Sequence, residues 1–367
     1  MDRKNRSSNF ELMRIFAMLL IITYHYALFS NFRHSSGTLS FNRQLYQSML
    51  LDGKTGVNLF VMVSGYFLIR SKGIRSSKVL QLWGQCFFWI MGIWLVFHKK
   101  IGGFGGMVQD SFEGKLFFLS SGVQWFISTY LVMYLLSPYF NGMLLSLSRT
   151  RFRRMLVMTG IFWCLIPTIG WIPGMIVTDF EGSDLAFFLF LYCLGAYLRL
   201  YHEESHRKAA FWFLCAAGIW AVCMAIITAV DIWGMKVMGK LKLLDYLFNN
   251  QNHVLILLLS LFLFMGFKEL NIGSNRIINL ISSLTFGIYL IHDNWQIRRY
   301  VWNNIVRANT MQESPWFLLF SAGIILAIFC ICGVLELIRQ QTAEKLWMRI
   351  AEPLSERIDC LIDRLIP

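Results

Sequence analysis

The chain has 367 residues, of which 56% are hydrophobic and only 15% charged, and its mean hydropathy is +0.53. A soluble domain carries about 25% charged residues, so an ordinary soluble enzyme, a disordered chain and a disulfide-rich secreted domain are excluded. The net charge of +13 comes from cations clustered in short stretches between apolar runs; that pattern reads as membrane topology and contact with anionic lipid, not as nucleic-acid binding.

The apolar residues fall in long runs, as at 15–22, 187–198, 254–267 and 316–337. Strict alternation, the mark of an outer-membrane barrel, is missing. About 20 apolar residues in a helix cross a bilayer, and hydrocarbon demands helices because it offers backbone groups no water. The expectation is an all-α polytopic membrane protein of about ten transmembrane helices, over 11–30, 54–69, 79–97, 122–138, 155–172, 184–200, 211–230, 251–268, 279–296 and 316–338. The fifth is the least regular, because Pro167 and Pro173 interrupt its end. Threaded with a cytoplasmic N-terminus, this arrangement puts 22 of the 34 Lys and Arg residues on inner segments and so predicts both termini in the cytoplasm. Residues 1–338 then form one membrane-embedded unit, and 339–367 an amphipathic cytoplasmic tail. In that tail Leu346, Ile350, Leu354, Ile358, Leu361 and Leu365 recur at helical spacing, as in a helix resting on the inner leaflet. No cleavable leader is expected, because the first apolar run carries Arg14 and His25 and no small-x-small site.

Ionisable and polar residues inside apolar helices are the candidates for function. In the first helix Arg14 and His25 are eleven residues apart, which is about three turns and 16 Å of rise. Both lie near one face, Arg14 at the cytoplasmic edge with Glu11 beside it, His25 in the outer half. A buried imidazole tends to be neutral, and its lone pair can take a hydroxyl proton or attack a thioester. It can equally be a histidine hydrogen-bonded between helices. The second helix carries Asn58, Ser64 and Gly65, then Arg70, Lys72, Arg75 and Lys78. Those cations suit a phosphate clamp, and topology alone accounts for them as well. Ser121 and Trp125 share a face at the start of the fourth helix, where Trp is often a plain interfacial residue. The ninth ends in His292 and Asp293, adjacent residues that do not share a helix face. His253 and the histidines of the loops read as solvated or interfacial. The eight cysteines include no Cys-x-x-Cys pair and read as reduced hydrophobes, so neither a metal nor a redox centre is expected. A transporter or glycan flippase is the alternative, against which stand the placement of Glu11, Asp184, Asp231, Asp293 and Glu336 near span ends and the lack of an inverted repeat.

With Arg14-x10-His25 at its start, the chain resembles the acyltransferase 3 family of integral membrane O-acyltransferases. Further matching segments are Gly56-Val-x-x-Phe60-x-x-x-Ser64-Gly65-Tyr66 with the cations after it, Trp125-Phe-Ile, Leu191-Tyr-x-x-Gly195-Ala and Phe286-Gly-Ile-Tyr-Leu-Ile-His292. The resemblance implies a multi-pass protein of the bacterial cytoplasmic membrane. It would move an acyl group, usually acetyl, from cytoplasmic acetyl-CoA or another acyl-CoA to a hydroxyl of a surface or lipid-linked polysaccharide. Acyl-CoA would be a co-substrate, with no tightly bound cofactor, and glycan-assembly proteins would be partners. His25 would be the essential base or acyl carrier, and Arg14, counted with it as catalytic, would help to hold the nucleotide phosphates. Arg70, Lys72 and Arg75 would hold the nucleotide phosphates, although Lys72 stands where the family commonly has arginine. Glu11, Ser64, Ser121, Trp125 and His292 would support the substrates.

Overall fold

The computed structural model describes residues 7–32, 39–71, 73–97, 125–170, 185–202, 207–238 and 251–365. It is all-helical, with no strand among the described residues. Each of the ten expected segments contains a helix among its described residues. In chain order the helices are α1 Ser8–Phe29, α2 Phe41–Leu68, α3 Ser76–Phe97, α4 Trp125–Ser146, α5 Arg149–Gly160, α6 Leu185–Tyr201, α7 Ala209–Met238, α8 Val254–Lys268, α9 Arg276–His292, α10 Phe317–Gln341 and α11 Ala343–Leu365. By length and composition five of them, α1, α3, α7, α10 and α5 with its continuation to Ile169, are apolar enough to cross a membrane. The helices α6, α8 and α9 are apolar but shorter.

Helix α1 is central: it packs on α2, α9, α10 and α8. Helices α2 and α6 approach so closely that a Cβ on Gly65 would meet the Tyr192 backbone, and one on Gly195 the Met62 backbone. Small residues permit this contact, which in lipid is held by dispersion and not by expelled water.

Three features differ from the expected pattern. First, α2 begins at Phe41, well before residue 54, because Ser40 caps it by accepting from the Arg43 N–H. The polar residues that make 41–53 look like a loop have a partner: Arg43, Gln44 and Gln47 all donate to the buried Asp231 carboxylate, at 3.2–3.3 Å. Asp231 therefore lies inside α7, which runs on past the expected end at 230. Second, α5 passes through a π-helical turn, Ile161–Leu165, into Ile166–Gly170. Pro167 has no N–H to give the Trp163 carbonyl, the position four residues before it; Asn252 donates to that oxygen instead, at 2.9 Å. Third, His253 is buried, 6% exposed, at the start of α8, not solvated.

Helix α11 docks on α3. Trp347 donates from Nε1 to the Leu80 carbonyl at 2.9 Å and lies over Gly84. Ala351 faces inward, while Leu346, Ile350, Leu354 and Leu361 remain exposed as an apolar stripe. Under the junction, Glu336 of α10 is fully buried and accepts from Arg339, Gln85, Trp89 and Gln340.

Candidate active site

His25 sits in the last turn of α1 but one, and its imidazole points at α9. Its Nδ1 lies 3.0 Å from Nε2 of His292 and 3.8 Å from Oδ1 of Asp293. The second ring nitrogen of His292, Nδ1, is 2.7 Å from the carbonyl oxygen of Ile288. The His292 residue is 6% exposed, and the His25 side chain keeps 12% of its surface. Asp293 is held by Arg298, whose guanidinium donates at 3.0 Å and also lies 4.5 Å from the centroid of the Phe29 ring. Phe29 in turn flanks His25, with centroids 5.6 Å apart. On the α2 side Lys54 lies over the Tyr24 ring at 5.1 Å. The site is thus a ring pair bracketed by one carboxylate and two cations.

By helical spacing adjacent His292 and Asp293 do not share a face, and the helix end brings them together near His25. Asp293 is the C-cap of α9, with φ −97° and ψ 14°, so it has left the helix and its carboxylate turns back beside both histidines. Helical spacing rules do not apply to a cap. Lys54 and Arg298 belong to this cluster; the sequence holds no signal that would have placed them there. Beyond Asp293, the side-chain amides of Asn294 and Gln296 and the indole N–H of Trp302 are buried, and Asn294 Nδ2, both side-chain polar atoms of Gln296 and Trp302 Nε1 find no hydrogen-bond partner among the described residues.

Arg14 is not part of that cluster. It pairs with Glu11 at 2.7 Å and lies over the Phe67 ring at 5.9 Å. Glu11 is buried and also accepts from Ser282 at 2.5 Å, tying α1 to α9 at this end. Phe67 and Tyr66 mark the end of α2 that leads to Arg70 and Arg75, both exposed. Arg199, at the end of α6, donates to the Tyr66 hydroxyl at 3.2 Å and so joins the same end of the bundle; sequence reading passed it over as a topology cation. Arg75 donates its backbone N–H to the Tyr134 hydroxyl at 3.4 Å. Lys72 and Ser121 lie outside the described residues. Ser64 donates to the Phe60 carbonyl at 2.9 Å, so at its 3.1 Å contact with Tyr130 it is the tyrosine that donates; Ser64 joins α2 to α4 and does not touch His25. Trp125 opens α4, 39% exposed, edge-on to Phe126 and Phe188.

Among the described residues the chain is all-helical, with five apolar helices of membrane length and a buried polar cluster between α1 and α9, as suits a membrane protein with the makings of an enzyme. A family model described as an acyltransferase domain, that of the acyltransferase 3 family, matches residues 7–336. The chain belongs to that family and is a membrane acyltransferase. No curated protein and no solved structure matches it.

Proposed function

We propose that this protein is an O-acyltransferase of the bacterial cytoplasmic membrane that moves an acyl group, acetyl in the usual case, from cytoplasmic acyl-CoA to a hydroxyl of a surface or lipid-linked polysaccharide. The observation that carries the reading is the His25–His292 contact inside a chain of this family. It sets a polarised imidazole about three turns of α1 from an end rich in arginine. The ten helices all span, and both termini are cytoplasmic. Arg14, Arg70, Lys72, Arg75 and Arg199 then face the compartment that holds acyl-CoA, whose phosphates suit guanidinium forks. The pantetheine arm carries the thioester inward to His25, which serves as base or as transient acyl carrier. Low water content there suppresses hydrolysis of the thioester. The Asn294 Nδ2 and the Gln296 side-chain amide, just past Asp293, have no hydrogen-bond partner among the described residues and are groups that sugar hydroxyls satisfy. Ser64, Ser121 and Trp125 serve as supporting residues, and Glu11 orients Arg14.

The test is release of free CoA by the purified protein in lipid nanodiscs, with acetyl-CoA and a panel of saccharides. Saccharide-dependent release is expected, and His25→Ala is expected to abolish it while the protein stays folded. A wild-type protein that moves saccharide across the bilayer without releasing CoA would establish the transporter reading instead.

A further inference from the structure

Two neutral rings in contact leave one nitrogen of His25 free for chemistry, and the surrounding acceptors decide which. A carbonyl oxygen only accepts hydrogen bonds, so the Nδ1 of His292, 2.7 Å from the Ile288 oxygen, carries that ring's proton. With one proton per ring, as burial favours for imidazole, the Nε2 of His292 is a bare lone pair. It faces Nδ1 of His25 at 3.0 Å. That contact needs a hydrogen, and only His25 can supply it. The Asp293 carboxylate is a second, independent constraint. It lies 3.8 Å from the same Nδ1, and a lone pair there would face an anion. Both neighbours of His25 Nδ1 are acceptors, so it bears the hydrogen. The charged and titratable groups around the pair are Lys54 and Tyr24 from the α1–α2 side and Tyr289, Asp293 and Arg298 from the α9 side. Arg298 fixes the carboxylate at 3.0 Å.

We propose that His292 is a positioning residue that, with Asp293 held by Arg298, locks His25 in its Nδ1–H tautomer, so that Nε2 of His25 is the reacting atom. The inference deepens the acyltransferase reading and rests on it for its chemistry, though not for its geometry. With His25 as base, its Nε2 lone pair takes the acceptor hydroxyl's proton as that oxygen bonds to the thioester carbon. The carbon–sulfur bond breaks, and the thiolate recovers the proton from Nε2. An ester and free CoA result, and His25 returns to its starting tautomer. With the wrong tautomer Nε2 would hold a hydrogen and could take no proton.

The experiment has two readouts. In protein labelled with 15N-histidine, with signals assigned by the loss on His25→Ala, the wild type is expected to show His25 protonated at Nδ1 and bare at Nε2. His292→Leu is expected to give a mixture of tautomers. This measurement needs no substrate, so it stands even where the acyltransferase reading fails for want of CoA release. In the CoA-release assay, His292→Leu is expected to lower kcat about 100-fold, in the range of general-base catalysis, with the KM for acyl-CoA unchanged. His292→Gln is expected to recover most of that loss, because its Oε1 can accept from Nδ1 of His25. A wild-type His25 protonated at Nε2 overturns the proposal, and so do Leu and Gln variants that are equally active or equally impaired. A purely structural role would move thermal stability and both variants together.

Discussion

Glu336 is the residue on which most side-chain hydrogen bonds of the α3–α10 junction converge. Its two oxygens accept from Arg339, Gln85, Trp89 and Gln340, and neither it nor Arg339 reaches solvent to any extent. Replacing the carboxylate breaks a buried ion pair and leaves Arg339 with Glu344 as its remaining carboxylate, a change that costs about 3–5 kcal/mol. Glu336→Leu is therefore expected to lose that much stability, read as a lowered thermal midpoint in detergent. The polar atoms of Gln296 have the opposite status: they are buried and unpaired. Gln296→Leu should leave stability intact and raise the KM for the saccharide, a measurement that fails if Gln296 is only a packing residue. At this scale the sequence was informative about which residues are odd and silent about whom they meet. His25, Arg14 and His292 stand out because ionisable groups are rare in apolar helices. Lys54 and Arg298 do not, because their meeting with His25 depends on a helix cap and on segments far apart in the chain.

Among the helices, α2 and α6 approach backbone to backbone through Gly65 and Gly195. Gly195→Val would drive a branched side chain into the Met62 backbone, which cannot step aside; overpacking of this kind costs about 1–3 kcal/mol. Gly218 of α7 has open space where a Cβ would go, and Gly218→Ala is expected to be neutral or stabilising by up to about 1 kcal/mol. Comparing the two thermal midpoints separates close approach from simple helix propensity. Helix α11 makes a different prediction. Its Trp347 face is docked and its leucine stripe is exposed, as suits a helix lying at a lipid surface. Changing Leu346, Ile350 and Leu354 together to Ser should leave the α3 contact in place and make the helix accessible to protease in vesicles. Apolar periodicity made nearly every helix legible, but not α2's polar first turns, because Asp231, the residue that satisfies them, is nearly two hundred positions away.

For the whole molecule, a cytoplasmic C-terminus predicts the labelling of Cys360, which is exposed on α11. A membrane-impermeant maleimide should reach it in inverted vesicles and not in intact cells. Labelling from the outside would reverse the topology and remove acyl-CoA from the arginine-rich end. The all-α class was legible from composition alone, because nothing else satisfies a backbone in hydrocarbon. The order of helices around α1 was not, since dispersion between apolar surfaces leaves little trace in one sequence.

The joint between His25 and His292 spans 267 positions of chain. A ribosome finishes the first helix early and the ninth near the end of synthesis, so every partly made product holds one histidine without the other. On the proposed mechanism the protein is expected to stay inert until the late helix is in place. Two fragments divided between 239 and 250, made together in one cell, should regain through association what neither has alone.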